Sequence, residues 1–361
     1  MNFYHEKNIM QKRLYFWGLI LICGNLLAAK DLIITDFVAG DGKTDVSDAI
    51  QRVIDTNPNR TIYFPDGTYL IGKPLVTPAD PARSVSLKLA DFAVIKAAAN
   101  WRSPEAMIRL GGSHPAAVIK QVGSNYSFSG GVIDGSGIAN GIAIESGRET
   151  AIRFTSIKHT PIGITIKRGS GGGSSDADIY NVNIYGTGKR DSIGVLVQGH
   201  DNTLTNMRIA KVHIGVKLDA SGNCLRNVHP LYGSTPGVSE EESLTACAFL
   251  DSHGSNVYDY CYSDQFASGF VTTCYSANIY SNCYCVWYSN YGGREMAFRA
   301  EKKFNSTITD CRVTFRKDTR NILLQVREPG GKGQIIRPRF LESRTENRDF
   351  QPYLQGNVLP L

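Results

Sequence analysis

Gly163-Ile164-Thr165-Ile166 is one of four near-copies in the chain. The others are Gly141-Ile142-Ala143-Ile144, Gly194-Val195-Leu196-Val197 and Gly215-Val216-Lys217-Leu218, and steps of 22, 31 and 21 residues separate the glycines. Gly269-Phe270-Val271 and Ala297-Phe298-Arg299 are weaker copies. The alternation means short strands, with Ile and Val inward and Thr165, Lys167, Gln198, Lys217 and Asp219 outward. A unit this small cannot bury its apolar face alone, so recurrence at this period means stacking.

Other residue types recur in step. Asn181, Asn206, Asn227, Asp259, Asn282 and Asp310 each precede a short apolar or aromatic stretch, at steps of 25, 21, 32, 23 and 28. Asn and Asp tolerate left-handed backbone and bond local amides, so such positions would form a ladder from coil to coil. Cys224, Cys247, Cys261, Cys274, Cys283, Cys285 and Cys311 also repeat, with 23 residues from 224 to 247 and 24 from 261 to 285. No Cys-x-x-Cys pair exists, and of the eight cysteines the seven beyond the expected export signal, which holds Cys23, are an odd number, so an inward stack of small apolar thiols is expected rather than disulfides or a metal site. Two interlocked periods near 25 residues, with strands of two to five residues, make an all-β parallel β-helix solenoid.

The bulk numbers agree. The 361 residues are 42% hydrophobic, with 36 Gly and more Tyr (17) than Phe (15), a β-rich and turn-rich balance. The net charge of +6 is too small and too scattered for a nucleic-acid footprint, and is compatible with an acidic substrate. Lys12 and Arg13 precede the apolar run Leu14 to Ile22, and Ala28-Ala29 follows. That is the layout of an export signal, and the run is too short to span a bilayer. Met10 offers a second start. The reading is an export signal over 1–29, a cap over 30–84, the parallel β-helix over 85–342 and a tail over 343–361, in a secreted or periplasmic protein.

Residues 36–71 carry the most specific motif. Gly40-Asp41-Gly42-Lys43-Thr44-Asp45 leads into Ala49-Ile50-Gln51, and Ile62-Tyr63-Phe64-Pro65-Asp66-Gly67-Thr68-Tyr69 follows. Val46, Ile50, Val53 and Ile54 share one face of an expected helix over 46–55, placed to cover an open solenoid end. Asp41 and Asp45 suit turns; their spacing does not fit an EF-hand loop. This segment, with Val132-Ile133-Asp134-Gly135-Ser136-Gly137, resembles the pectate-lyase superfamily, the polygalacturonase and pectate-lyase-like proteins. The resemblance implies a right-handed parallel β-helix with an N-terminal helical cap, and action on a polysaccharide or oligosaccharide. It leaves hydrolase, lyase, epimerase, transferase and tailspike-like binder open, because fold does not determine chemistry.

The slots that hold catalytic carboxylates in the polygalacturonase-type relatives read Thr160-Pro161-Ile162, Asp191-Ser192-Ile193 and Val212-His213-Ile214, without a carboxylate pair. A lyase would need calcium ligands; Asp176 and Asp178 could point the same way as a ligand pair, but solvated loop positions look just like this and are the favoured reading. No metal site is assigned, and Ca2+ is the cofactor expected only if the chemistry is elimination. Residues 229–301 break the rhythm. A long excursion holds Glu240, Glu241 and Glu242, and aromatic coils follow. Aromatic rings suit the C–H faces of sugars. The candidate catalytic residues are Asp264, His229, Arg299, Lys217, Asp219 and His213. Tyr262, Trp287, Tyr288, Arg294 and Glu301 are the candidate substrate contacts. An acid and a base flanking a sugar serve hydrolysis or elimination. The expected protein is an exported carbohydrate-active enzyme that cleaves a polysaccharide, with a non-catalytic glycan-binding β-helix as the alternative.

Overall fold

The computed structural model describes residues 32–112, 127–145, 149–167, 175–231, 245–288, 294–315, 320–340, 345 and 347–359. The export signal, Glu240–Glu242, Tyr291 and the stretch 117–122 lie outside the described residues. From Ile33 onward the chain forms one unit, a right-handed parallel β-helix. No helix among the described residues is long and apolar enough to cross a membrane.

Each coil lays down three short strands. One joins a ten-stranded parallel sheet built from the Gly-plus-aliphatic repeats, including Asn140–Ile144, Ile162–Ile166, Ile193–Val197, Ile214–Leu218, Cys247–Asp251 and Ser268–Thr272. The other two form the legs of a second, 22-stranded parallel sheet. In the coil at 203–210 and the coil at 224–231 a single strand runs through both legs. Pairing begins ahead of residue 85, with Arg60–Phe64 on Val85–Leu89, and reaches Leu354–Gln355 on Gln334–Ile336.

The glycines of the repeat are required by close approach. A Cβ on Gly163 would lie 2.6 Å from the Gly194 carbonyl oxygen and 2.8 Å from Ile184 Cγ2, and one on Gly194 would collide with Ile209. Only hydrogen fits where the second leg turns onto the ten-stranded sheet.

The corner between the two legs is one left-handed residue. Asn181, Asn206, Asn227, Asn282 and Asp310 occupy it with φ between 52° and 55°. In the fourth coil of this series the corner residue is Tyr260 (φ 57°), not Asp259, which ends the preceding strand. Asn227 Nδ2 donates to Asn206 Oδ1 at 2.7 Å, and Asn282 Nδ2 to Asp259 Oδ1 at 3.3 Å. The corner also resets the strand alternation. Tyr258 points inward, Tyr260 is exposed and Tyr262 points outward, so these three rings do not share a face.

A deeper ladder stands at the turn before the first leg. Asn202, Asn223, Asn256 and Asn278 are buried, and each Oδ1 accepts the backbone N–H one coil earlier, at 2.9, 3.0, 2.9 and 3.0 Å. Ser306 Oγ continues it by accepting Asn278 N–H at 3.0 Å. These groups satisfy backbone donors that the turns would otherwise bury unpaired.

Stacked aromatics fill the core. Phe249, Phe270 and Phe298 succeed one another at ring distances of 4.7 and 5.1 Å, with Tyr258 on Tyr280 at 4.8 Å beside them. The cysteines follow the same logic. All seven are free thiols, and Cys247, Cys261, Cys283, Cys285 and Cys311 are buried. Cys261, Cys283 and Cys311 each follow a corner residue, so the true stack has those members. Cys224 and Cys247 belong to different sheets. The helix Ser47–Thr56 buries Ile50, Val53 and Ile54. Its Gln51 side chain accepts from Val76 N–H at 2.8 Å and donates to Val76 O at 2.9 Å. That pairs the edge strand Leu75–Val76 of the ten-stranded sheet. Asp41 folds its own turn, accepting N–H groups of Lys43 and Thr44 at 2.8 and 3.0 Å, which hold its carboxyl below the usual carboxylate range.

Candidate active site

The candidate residues separate onto two faces. On the outside of the second leg, His229, Tyr262 and Tyr284 follow one another in successive coils. The His229 and Tyr262 rings stack at 4.0 Å with 16° between planes, and Tyr262 stacks on Tyr284 at 4.8 Å. Arg312 closes the column, 5.3 Å over the Tyr284 ring. Two residues further along the strand, Asp264 is in register with Leu231 and Val286. His229 Nε2 lies 3.7 Å from Asp264 Oδ2. Both His229 Nε2 and Asp264 Oδ1 are buried atoms without a hydrogen-bond partner. Buried polar atoms are rarely left so, and such atoms mark places where a ligand completes the bonding. Tyr288, mostly exposed, bonds the Tyr262 hydroxyl, and burial together with that bond pushes the Tyr262 phenol well up. The patch therefore offers a carboxylate, an imidazole and a phenol that stays protonated.

The outer face of the ten-stranded sheet carries the other candidates as ion pairs. Lys217 Nζ lies 3.1 Å from Asp219 Oδ2, and Ser252 Oγ donates to Asp219 Oδ1 at 2.6 Å. Arg299 is 3% exposed and bonded to Glu301, which Arg327 also approaches at 4.0 Å. His213 is buried at the corner before this sheet, its Nε2 3.2 Å from Thr245 Oγ1. Burial and the nearby Arg190 charge push its pKa below the ordinary histidine value. Asp264, His229, Lys217 and Arg299 thus do not form one cluster: two belong to the second leg and two to the ten-stranded sheet. The short corner between Asp264 and Ser268 turns the chain from one face to the other.

Trp287 is a correction. It is 2% exposed, stacks on Phe315 at 5.1 Å and donates its indole N–H to Phe266 O at 2.6 Å. Its ring is core, out of reach of a sugar, because the strand Tyr284–Val286 ends before it and the chain turns inward. Arg294 opens the strand Arg294–Ala300 in register with Arg320, and its side chain is outside the described residues. Asp178 is engaged by Arg153 at 2.7 Å, and among the described residues no three His, Cys, Asp or Glu side chains gather to hold a metal ion. No step is routed through calcium.

A groove of about 340 Å3 leads away from the patch along the same face. Ser156, Lys158, Asn183, Tyr185, Arg208, Ala210, His229 and Leu231 line it. Lys158, Tyr185 and Arg208 went unread in the sequence. Their signal is the left-handed corner before each second leg, which decides that these positions point outward.

The family model for rhamnogalacturonase A/epimerase, pectate lyase-like proteins matches residues 34–238, more than half of the chain. No curated protein sequence matches significantly. Among solved structures, the endo-xylogalacturonan hydrolase from Aspergillus tubingensis superposes with a TM-score of 0.52 at 15% identity, covering 91% of this chain and 100% of that one. DFA-IIIase from Arthrobacter chlorophenolicus A6, without its lid and in complex with GF2, gives 0.58 at 11% identity, with 92% and 100% covered. At these identities the likeness is one of fold. The family match spans the cap motif, four Gly-plus-aliphatic repeats and His229, and on that ground the chain belongs to the rhamnogalacturonase A/epimerase, pectate lyase-like family of parallel β-helix proteins.

Proposed function

We propose that this protein is an exported carbohydrate-active enzyme that cleaves a polysaccharide at the His229–Asp264–Tyr262 patch. The observation that carries the reading is the unpartnered, buried His229 Nε2 and Asp264 Oδ1, 3.7 Å apart across Nε2 and Oδ2, beside an aromatic column. Family membership supports the substrate class. The endo-xylogalacturonan hydrolase, named for a polysaccharide, shares the fold.

The groups present favour elimination over hydrolysis. Two-carboxyl hydrolysis needs a pair of acids flanking the bond, and among the described residues Asp264 is the one carboxylate of the patch. In β-elimination from a uronate, a base takes the proton beside the sugar carboxylate, a carbon–carbon double bond forms and the glycosidic C–O bond breaks. The leaving oxygen then takes a proton. The His229 imidazole, beside Asp264, is suited to be the base, and a phenol held protonated is suited to be the acid. The test is incubation with a panel of acidic and neutral glycans, read by ultraviolet-absorbing unsaturated ends and by reducing ends. Unsaturated ends that disappear in His229→Ala support elimination. Reducing ends without unsaturation would replace it by hydrolysis, and an uncleaved panel would sink the enzymatic reading.

A second reading is a non-catalytic glycan binder. The column Tyr262–Tyr284–Arg312, a platform of rings closed by a guanidinium, favours it. Glycan binding that survives Asp264→Ala without any turnover is its signature.

A further inference from the structure

Two coils before His229, the same outer face carries a second set of groups that the cleavage chemistry does not use. Tyr185 is 44% exposed although it sits mid-strand in Asn183–Gly186. Lys211 lies over its ring at 5.4 Å, and His159 meets it edge-on at 6.1 Å. Lys158 and Arg208, both exposed, stand on the strands to either side. These groups are continuous with the site described above. Tyr185, Lys158, Arg208 and His229 line one groove, and none of its ten lining residues is a carboxylate. The nearest acid in register is Asp134, opposite Lys158, and it is held by His159 at 3.0 Å and Lys96 at 4.0 Å.

We propose that Tyr185, Lys158 and Arg208 form a binding subsite for an anionic sugar unit, which starts at Arg208, in register with His229 on the next strand, and runs away from the reacting bond to Tyr185 and Lys158. The polymer would then lie along the coil axis and not around it. The proposal rests on the reading of the His229 patch as the reacting end. The Tyr185 ring supplies a flat face for sugar C–H bonds, and its hydroxyl a polar edge. Arg208 and Lys158 supply donors for a carboxylate or sulfate, in a groove with no competing acid. Successive strands of the sheet are about 4.8 Å apart, so Tyr185 and His229 are separated by about 10 Å along the axis. A short oligosaccharide seated at His229 alone would not reach both. Lys211, stacked on Tyr185, holds the ring and adds positive potential without entering the groove lining.

The test is binding of three polymers by the full chain at low salt: polygalacturonate as a carboxylate polymer, dextran sulfate as a sulfate polymer, and dextran as a neutral one. Tyr185→Ala and Arg208→Ala are each expected to weaken binding of one anionic polymer by about tenfold, with Tyr185→Phe near wild type. Whichever of polygalacturonate and dextran sulfate binds more tightly identifies the anionic group. Arg226→Ala removes an exposed cation from the other leg, where it faces Asp259, and is expected to change nothing. Polymer binding insensitive to Tyr185→Ala and Arg208→Ala, or equally sensitive to Arg226→Ala, would overturn the subsite and leave the His229 patch standing. Equal binding of dextran would overturn its anionic character. Failure of the wild-type chain to bind or cleave any glycan would overturn both readings together.

Discussion

Replacing Asn256 by alanine is expected to be among the most damaging polar substitutions in this protein. Its Oδ1 accepts the Asn223 backbone N–H at 2.9 Å and the Asn223 Nδ2 at 3.1 Å. Its Nδ2 donates to Ala220 O at 3.0 Å, Gly254 O at 3.1 Å and Asp251 Oδ2 at 2.9 Å. Asp251 is itself buried and keeps the Tyr258 hydroxyl and the N–H groups of His253 and Gly254. Alanine therefore strands one buried backbone N–H and removes one donor from a buried carboxylate. Stranding a buried donor costs about 1–3 kcal/mol, and a lost bond to a charged group about 1.5–3, so the expected loss is about 3–6 kcal/mol. That is a large share of a typical folding free energy of about 5–15 kcal/mol. Asn282→Ala is the internal contrast. It removes one long bond at an exposed corner and adds the left-handed cost of a Cβ residue without a bonding side chain, about 1 kcal/mol. Urea unfolding followed by circular dichroism compares the two midpoints. Equal shifts, or an Asn256→Ala protein within about 1 kcal/mol of wild type, would refute the claim that the buried ladder holds the coils.

Three further outcomes follow from the same structure. Tyr260 is 66% exposed at φ 57°, a corner that asparagine occupies elsewhere. Tyr260→Asn should stabilise by about 1 kcal/mol, and a lowered melting temperature would contradict this. His213 has its pKa depressed in the folded state by burial and by Arg190. Its neutral form is the folded form, so stability is complete above the ordinary value of 6.5 and is lost as pH falls below it. His213→Gln should flatten that slope in melts run on either side of pH 6.5, and an unchanged slope would assign the acid sensitivity elsewhere. Of the seven thiols among the described residues, only the half-buried Cys224 and Cys274 should react with an aromatic disulfide reagent under native conditions. Fast reaction of Cys283, whose thiol burial pushes far up, would contradict the inward stack.

The scaffold was largely legible because its constraints repeat. Gly163, Gly194 and Gly215 recur because a Cβ there would meet the next coil, and the corner asparagines recur because one left-handed residue must turn each coil. The buried ladder of Asn202, Asn223, Asn256 and Asn278 was equally visible as Asn two residues ahead of an inward Leu or Tyr. It was overshadowed by the corner series. The site was less legible for a physical reason. Strand alternation gives facing only within one strand, and the left-handed corner resets its phase. By alternation alone Tyr258 and Tyr262 are equivalent, and Trp287 is as available as its neighbours, although it turns into the core. His229, Asp264 and Tyr262 were named from composition and position, and they do meet. Lys217 and Arg299 were grouped with them because coil number was readable and leg was not.

In the proposed function the glycan is acted on at the second-leg patch and not on the ion-paired face of the ten-stranded sheet. The direct measurement is the initial rate of unsaturated-end formation on polygalacturonate for wild type, Asp264→Asn and Lys217→Ala. The expected result is a loss of at least about 100-fold in Asp264→Asn, with Lys217→Ala unchanged. Full activity in Asp264→Asn, or its loss in Lys217→Ala, would contradict it.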